Sequence, residues 1–114
     1  MPVLKFNETQ PEIVREGLER KIIYTGDLMT VVLDFTDGPW EKPEPPHSHP
    51  HVQTSYVAAG EIIFYCEDEE DQHLKAGDMF AAPSGKKHTV KILTPHVRLV
   101  DSFSPIREEF LAKS

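Results

Sequence analysis

Short runs of β-branched, aromatic and aliphatic residues recur along this chain at 21–24, 29–35, 53–58, 61–66, 79–82, 89–93 and 97–103. Turn chemistry cuts between them at Thr36-Asp37-Gly38, Ala76-Gly77-Asp78 and Pro83-Ser84-Gly85. Strands this short and turns this regular predict an all-β sandwich or barrel. Helix is expected only at the margins. Residues 11–20 have room for one turn or two, and residues 105–112 read as a short C-terminal helix. In that helix Ser104 would be the N-cap, Pro105 the first helical residue, and Glu108 and Glu109 would sit in the early turns. At 114 residues the chain has material for one domain, spanning 1–114 without repeat or linker, since domains typically take about 100–150 residues.

Composition removes several classes of function. Hydrophobic residues make up 39% and charged residues 27%, an ordinary globular balance. The formal charge of −7 argues against nucleic acid, whose phosphates need clustered Lys and Arg, and Lys86-Lys87 is too short to form such a patch. The acidic stretch 67–71 joins two strand-like runs without the glycine and ligand spacing of a calcium loop, so it reads as a solvated hairpin turn. No apolar stretch approaches the roughly 20 residues that span a bilayer, and the N-terminus shows no basic segment followed by an apolar run. A cytoplasmic location with no membrane partner is therefore expected. The single cysteine, Cys66, lies in the apolar run 62–66 and is expected to be a reduced thiol packed in the core.

Chemistry concentrates in two short segments. The first reads H-x-H-x3-Q-x6-G, from His47 through His49 and Gln53 to Gly60. Side chains alternate along an extended chain, so imidazoles two residues apart face one side and can grip one ion together. Gln53 keeps the same parity. The second segment reads G-x5-P-S-G-x2-H, from Gly77 to His88, where a Pro-x-Gly turn aims a strand-starting histidine at a fixed point. His51 shares the parity of its neighbours, but Pro50 breaks the regular strand, so it is read as pocket rim or as support for the ligands rather than as a ligand. The proline-rich stretch 39–50 reads as a stiff loop feeding His47 into the mouth of the barrel, or else as a partner-binding segment.

These two segments, 47–60 and 77–88, resemble the two signature motifs of the cupin superfamily. The resemblance implies a double-stranded β-helix, a jelly-roll barrel, holding one divalent transition-metal ion. It implies His47, His49, Gln53 and His88 as ligands, with Gln53 departing from the glutamate that is commonest in cupins. Three imidazoles and an amide suit zinc, nickel, iron, cobalt or manganese.

The last strand-like run adds a second functional cue. If Val97 and Leu99 face the core, so do Asp101 and Phe103, and a carboxylate pointed into an apolar interior needs a partner, a metal or a task. His88 can line the same cavity. Arg107 follows on the first turn of the expected terminal helix, where its guanidinium can reach back and hold a carboxylate; a structural Asp101–Arg107 salt bridge is the other reading. Together with 47–53, the pattern D-x-F-x-P-x-R from Asp101 to Arg107 resembles the small single-domain cupins of the KdgF, pectin-degradation type, over about residues 46–111.

That resemblance implies an isomerase that opens 4,5-unsaturated uronate monosaccharides, released from pectin or alginate, to linear 4-deoxy-5-keto uronates. Asp101, Phe103 and Arg107 would be its catalytic residues and a small anionic sugar its substrate. Two competing readings are a metal-dependent cupin dioxygenase and a non-catalytic cupin that binds sugar or metal. Related cupins also imply a homodimer.

Overall fold

The computed structural model describes residues 2–111. Its strands are β1 (Glu12–Arg15), β2 (Leu18–Thr25), β3 (Leu28–Phe35), β4 (Val52–Ala59), β5 (Glu61–Cys66), β6 (Gln72–Lys75), β7 (Met79–Ala82), β8 (His88–Ile92) and β9 (Val97–Ser104). They form one six-stranded sheet in the order β1-β2-β3-β9-β4-β7 and one three-stranded sheet in the order β6-β5-β8. Every pairing is antiparallel, and the two sheets make the expected jelly roll.

The alternation that announced the strands also builds the core. Along β9 the residues Val97, Leu99, Asp101 and Phe103 are buried and their neighbours are not, as period two requires. On β4 the inward set is Gln53, Ser55 and Val57. One apolar cluster joins Leu18, Phe35, Val57, Ile62, Ile92, Val97 and Leu99; a smaller one joins Met29, Val31 and Phe103. Burying each such side chain contributes about 1.5–3 kcal/mol. The acidic stretch 67–71 is exposed between β5 and β6, as a solvated turn should be.

Four expectations need correction. Residues 11–20 form no helix: β1 runs through Glu12–Arg15 and pairs with β2, which begins at Leu18. Strand β6 was not anticipated. The C-terminal helix shrinks to a single 3-10 turn, Glu108–Phe110, entered from Arg107 in an extended conformation and without a side-chain cap. Ser104 is instead the last residue of β9, paired with Val52, so strand pairing claims the residue that would have capped a helix. Ala112, the end of the expected helix, lies outside the described residues. Last, Cys66 is free but only half-buried.

Candidate active site

Three segments converge at one end of the barrel. The proline-rich loop delivers His47, which forms a two-way backbone bridge with His88: each N–H donates to the other's carbonyl, at 3.0 and 2.9 Å. Farther back, the loop is anchored by the Trp40 N–H on the Ile92 carbonyl at 2.8 Å, with the indole edge-on to Phe35. The turn before β8 clasps the next segment. Gly85, at φ +76°, donates its N–H to the His49 carbonyl at 2.9 Å, and Ser84 Oγ donates to the Pro50 carbonyl at 2.6 Å. A side chain at position 85 would strain that left-handed backbone. So the two motifs are held together by their own backbones before any ligand is considered.

The imidazoles of His47, His49 and His88 bring one ring nitrogen each to within 4.8 Å of one another. His47 stands exposed at the mouth, whereas His49 and His88 are buried. The backbone sets the tautomers. Nδ1 of His49 donates to the His51 carbonyl and Nδ1 of His88 to the Lys86 carbonyl, each at 2.9 Å. A carbonyl can only accept, so in the neutral ring the remaining Nε2 is a bare lone pair. Burial holds the His47 and His49 rings below the usual histidine range, with the neighbouring cationic groups adding to the effect, which keeps them neutral.

Those lone pairs have nothing to accept from. Nε2 of His88 is buried with no hydrogen-bond partner. Nε2 of His49 lies 3.2 Å from Oε1 of Gln53, one acceptor facing another. Orphaned buried acceptors cost about 1–3 kcal/mol each, and convergent ones call for a cation. The donor set therefore fits a divalent metal ion, with neutral imidazoles oriented by carbonyls behind them. His51 is outside this cluster; it serves through its carbonyl, and its ring meets that of His49 edge-on at 5.6 Å.

A cavity of about 280 Å³ opens beside the histidines, with Gln53, Asp101, Phe103 and Arg107 on its wall. Asp101 is 5% exposed, and its Oδ1 is buried without a partner. Burial lifts its carboxyl from 3.8 to about 6, against the opposing pull of a hydrogen bond from Ser55 and the charge of Arg107. Phe103 lies edge-on to His49 at 5.8 Å. Arg107 rests over the Phe103 ring at 5.2 Å and the Phe110 ring at 4.3 Å. Its ion-pair partner is Glu109, through Nε at 2.9 Å and Nη2 at 2.7 Å, so the alternative Asp101–Arg107 salt bridge is not formed. Leu18, Leu33, Phe35 and Leu99 give the rest of its wall an apolar character.

Of the site residues named from sequence, His47, Gln53, His88, Asp101, Phe103 and Arg107 line this cavity, and His49 joins them through the histidine cluster. Two neighbours were missed. Ser55 accepts from Nε2 of Gln53 at 2.9 Å and stands opposite Asp101 in the β4–β9 register; its parity with Gln53 would have revealed it. Arg20 also lines the cavity and stacks on Phe110 at 4.4 Å, but it lies in the segment misread as helix.

The relatives agree with this picture. Residues 34–101 match the cupin domain family. The chain is 39% identical to the pectin degradation protein KdgF of Dickeya dadantii (strain 3937) over 107 residues, covering 92% of this chain and 94% of that one. The structure of KdgF from Halomonas sp. superposes with a TM-score of 0.83 at 34% identity, covering 93% of this chain and 96% of that one. An RmlC-like cupin from Shewanella frigidimarina NCIMB 400 gives 0.82 at 33% identity, covering 94% and 93%. With the paired motifs, the histidine cluster and this coverage in hand, the chain belongs to the cupin family and, within it, to the KdgF-like, pectin-degradation type.

Proposed function

We propose that this protein opens 4,5-unsaturated uronate monosaccharides from pectin or alginate breakdown to linear 4-deoxy-5-keto uronates. The observation that carries the reading is Asp101: a buried carboxyl with an unpartnered oxygen, in one cavity with the histidine cluster and Arg107. Kinship with a pectin degradation protein supplies the substrate class.

His47, His49, Gln53 and His88 would hold one divalent ion, whose identity among nickel, zinc, iron, cobalt and manganese the donor set leaves open. Bound there, the ion supplies Lewis acidity toward the oxygens of the substrate. The reaction itself is a redistribution of protons. The hemiacetal C1–O bond breaks to leave an aldehyde at C1 and an enol at C5; the enol oxygen then loses its proton, C4 gains one, and a C5 ketone results. No oxidant is consumed. Asp101 accepts the proton from oxygen and delivers one to C4, a role suited to a carboxyl near 6. Arg107 receives the substrate carboxylate. Its aromatic bed fixes the guanidinium plane, while the exposed Glu109 holds the Nε side until substrate arrives. Phe103 is 2% exposed and covers the reacting face against water.

The same reading includes a cytoplasmic homodimer. Val52, Tyr56 and Met79 are exposed on the outer side of the six-stranded sheet, with Tyr56 opposite Met79, an apolar face that a second copy can cover. The test of function is a coupled assay with lyase-generated unsaturated uronates. Accelerated loss of the 4,5-double-bond absorbance without oxygen uptake supports the isomerase; oxygen consumption with an aromatic or thiol substrate, and none of that loss, would favour a dioxygenase.

A further inference from the structure

Ser55 joins the candidate ligand Gln53 to the candidate acid Asp101, and the direction of its hydrogen bonds decides which end of the Gln53 amide meets the histidines. We infer that Ser55 is a positioning residue that holds the Gln53 carbonyl oxygen toward the metal locus; this rests on the reading of Gln53 as a ligand.

An amide has two unlike ends. Presented by its oxygen it can bind a cation, and presented by its NH2 group it repels one. In the fold, Gln53 Nε2 donates to Ser55 Oγ at 2.9 Å while Oε1 faces His49 Nε2 at 3.2 Å. Both residues are buried, Gln53 at 8% exposure and Ser55 at 2%, so losing a partner there is costly. Ser55 has one hydroxyl hydrogen, and it is given to Asp101 across the β4–β9 pairing, where the two residues stand opposite each other. Toward Gln53 the hydroxyl then shows only lone pairs. A flipped amide would set Oε1 against those lone pairs, two buried acceptors with no proton between them. The chain of donation therefore runs in one direction, from Gln53 N–H to Ser55 and from Ser55 O–H to the Asp101 carboxylate. Strand geometry makes this possible: Ser55 is two residues beyond Gln53 on β4 and shares its inward face.

The test is metal affinity, measured by competition with a chelator using zinc and nickel ions, with melting temperatures of the metal-free proteins in parallel. Ser55→Ala is expected to weaken binding about 10–100-fold while the metal-free protein, though it melts at a lower temperature, stays folded under the binding conditions. Ser55→Thr keeps the hydroxyl and is expected to stay within a few-fold of the wild type. Gln53→Glu offers an oxygen whichever way the side chain turns, so adding Ser55→Ala to it is expected to change affinity little. An equal loss in both backgrounds would mean a general structural role and overturn the inference, as would a loss in Ser55→Thr as large as in Ser55→Ala. Gln53→Ala separates two further failures. If it weakens binding while Ser55→Ala does not, the Ser55 inference alone falls; if neither weakens binding, the ligand reading falls and the Ser55 inference with it.

Discussion

The inward face of β9 has two halves that are equally hidden from solvent and chemically opposed. Val97 and Leu99, at 0% and 3% exposure, meet Val57, Ile62 and Ile92 in a wholly apolar cluster. Asp101, at 5%, sits among Ser55, Gln53, His49 and His88, none more than 8% exposed. Burial alone does not separate core from site here. What separates them is satisfaction: the apolar half has no polar atoms to pair, whereas the polar half keeps His88 Nε2 and Asp101 Oδ1 without partners. Such groups each oppose folding by about 1–3 kcal/mol, so the polar half draws on stability that the apolar half supplies. The lesson is that unsatisfied buried atoms gathered on one cavity, as those of His88 and Asp101 are, mark where something else is meant to bind.

Mutations that exchange the character of the two halves probe this contrast. The largest effect is expected from removing a ligand: His49→Ala or His88→Ala is expected to weaken metal binding by more than about 100-fold while leaving a folded barrel. Full metal content in both variants, measured by elemental analysis, would break the proposed ligand set. In the apolar half the reverse holds. Ile62→Ala is expected to cost about 2–5 kcal/mol of stability in chemical denaturation, with metal stoichiometry per folded molecule preserved.

Arg107 sits between these extremes. Arg107→Ala is expected to raise KM by about 10–100-fold with a smaller change in kcat, because it removes uniform binding of the substrate carboxylate. Lysine at that position keeps the charge and loses the fork, so partial rescue is expected. Steady-state kinetics that show only a lowered Tm and unaltered KM would reduce Arg107 to a clamp on the tail through Glu109. The smallest effect belongs to His51→Ala. Its service to His49 runs through a backbone carbonyl that the substitution leaves in place, so metal content is expected to stay full and activity to fall by no more than about 3-fold.

How far the sequence reveals these features follows from the same contrast. Strands packed on one face and solvated on the other, such as β4 and β9, write their alternation plainly, and H-x-H with a turn-borne third histidine marks the metal locus. Edge strands do not. Gln72–Lys75 is almost wholly exposed and has a single half-buried apolar residue, Leu74, so no period is there to read. Strand β1 hides for a similar reason: Ile13 is 63% exposed at the sheet edge, and pairing with β2 rather than burial makes the segment extended. The tail was misread because Ser104 and Pro105 do carry helix-start chemistry. Ladder pairing to Val52 and the docking of Ile106, Phe110 and Leu111 on the Met29 cluster outweigh that local preference, which a helix this short cannot propagate. Ser55 had only its parity with Gln53 to announce it, and its place opposite Asp101 is a tertiary fact; Arg20 had no local signal, since its stacking on Phe110 is tertiary as well.

The most direct test of the account is Asp101→Asn, assayed for loss of the 4,5-double-bond absorbance at matched metal occupancy, with its thermal stability followed against pH. The folded pKa of Asp101 is raised from 3.8 to about 6, so its protonated form stabilises the metal-free fold below 3.8, and that contribution is lost as pH rises through about 6. The loss amounts to about 3 kcal/mol by neutral pH. Asparagine has no proton to lose, so the variant is expected to melt at or above the wild-type temperature at neutral pH while kcat falls by about two orders of magnitude or more. Turnover retained at full metal occupancy would contradict the account, because the polar half of the barrel would then be doing its chemistry without the one carboxyl buried in it.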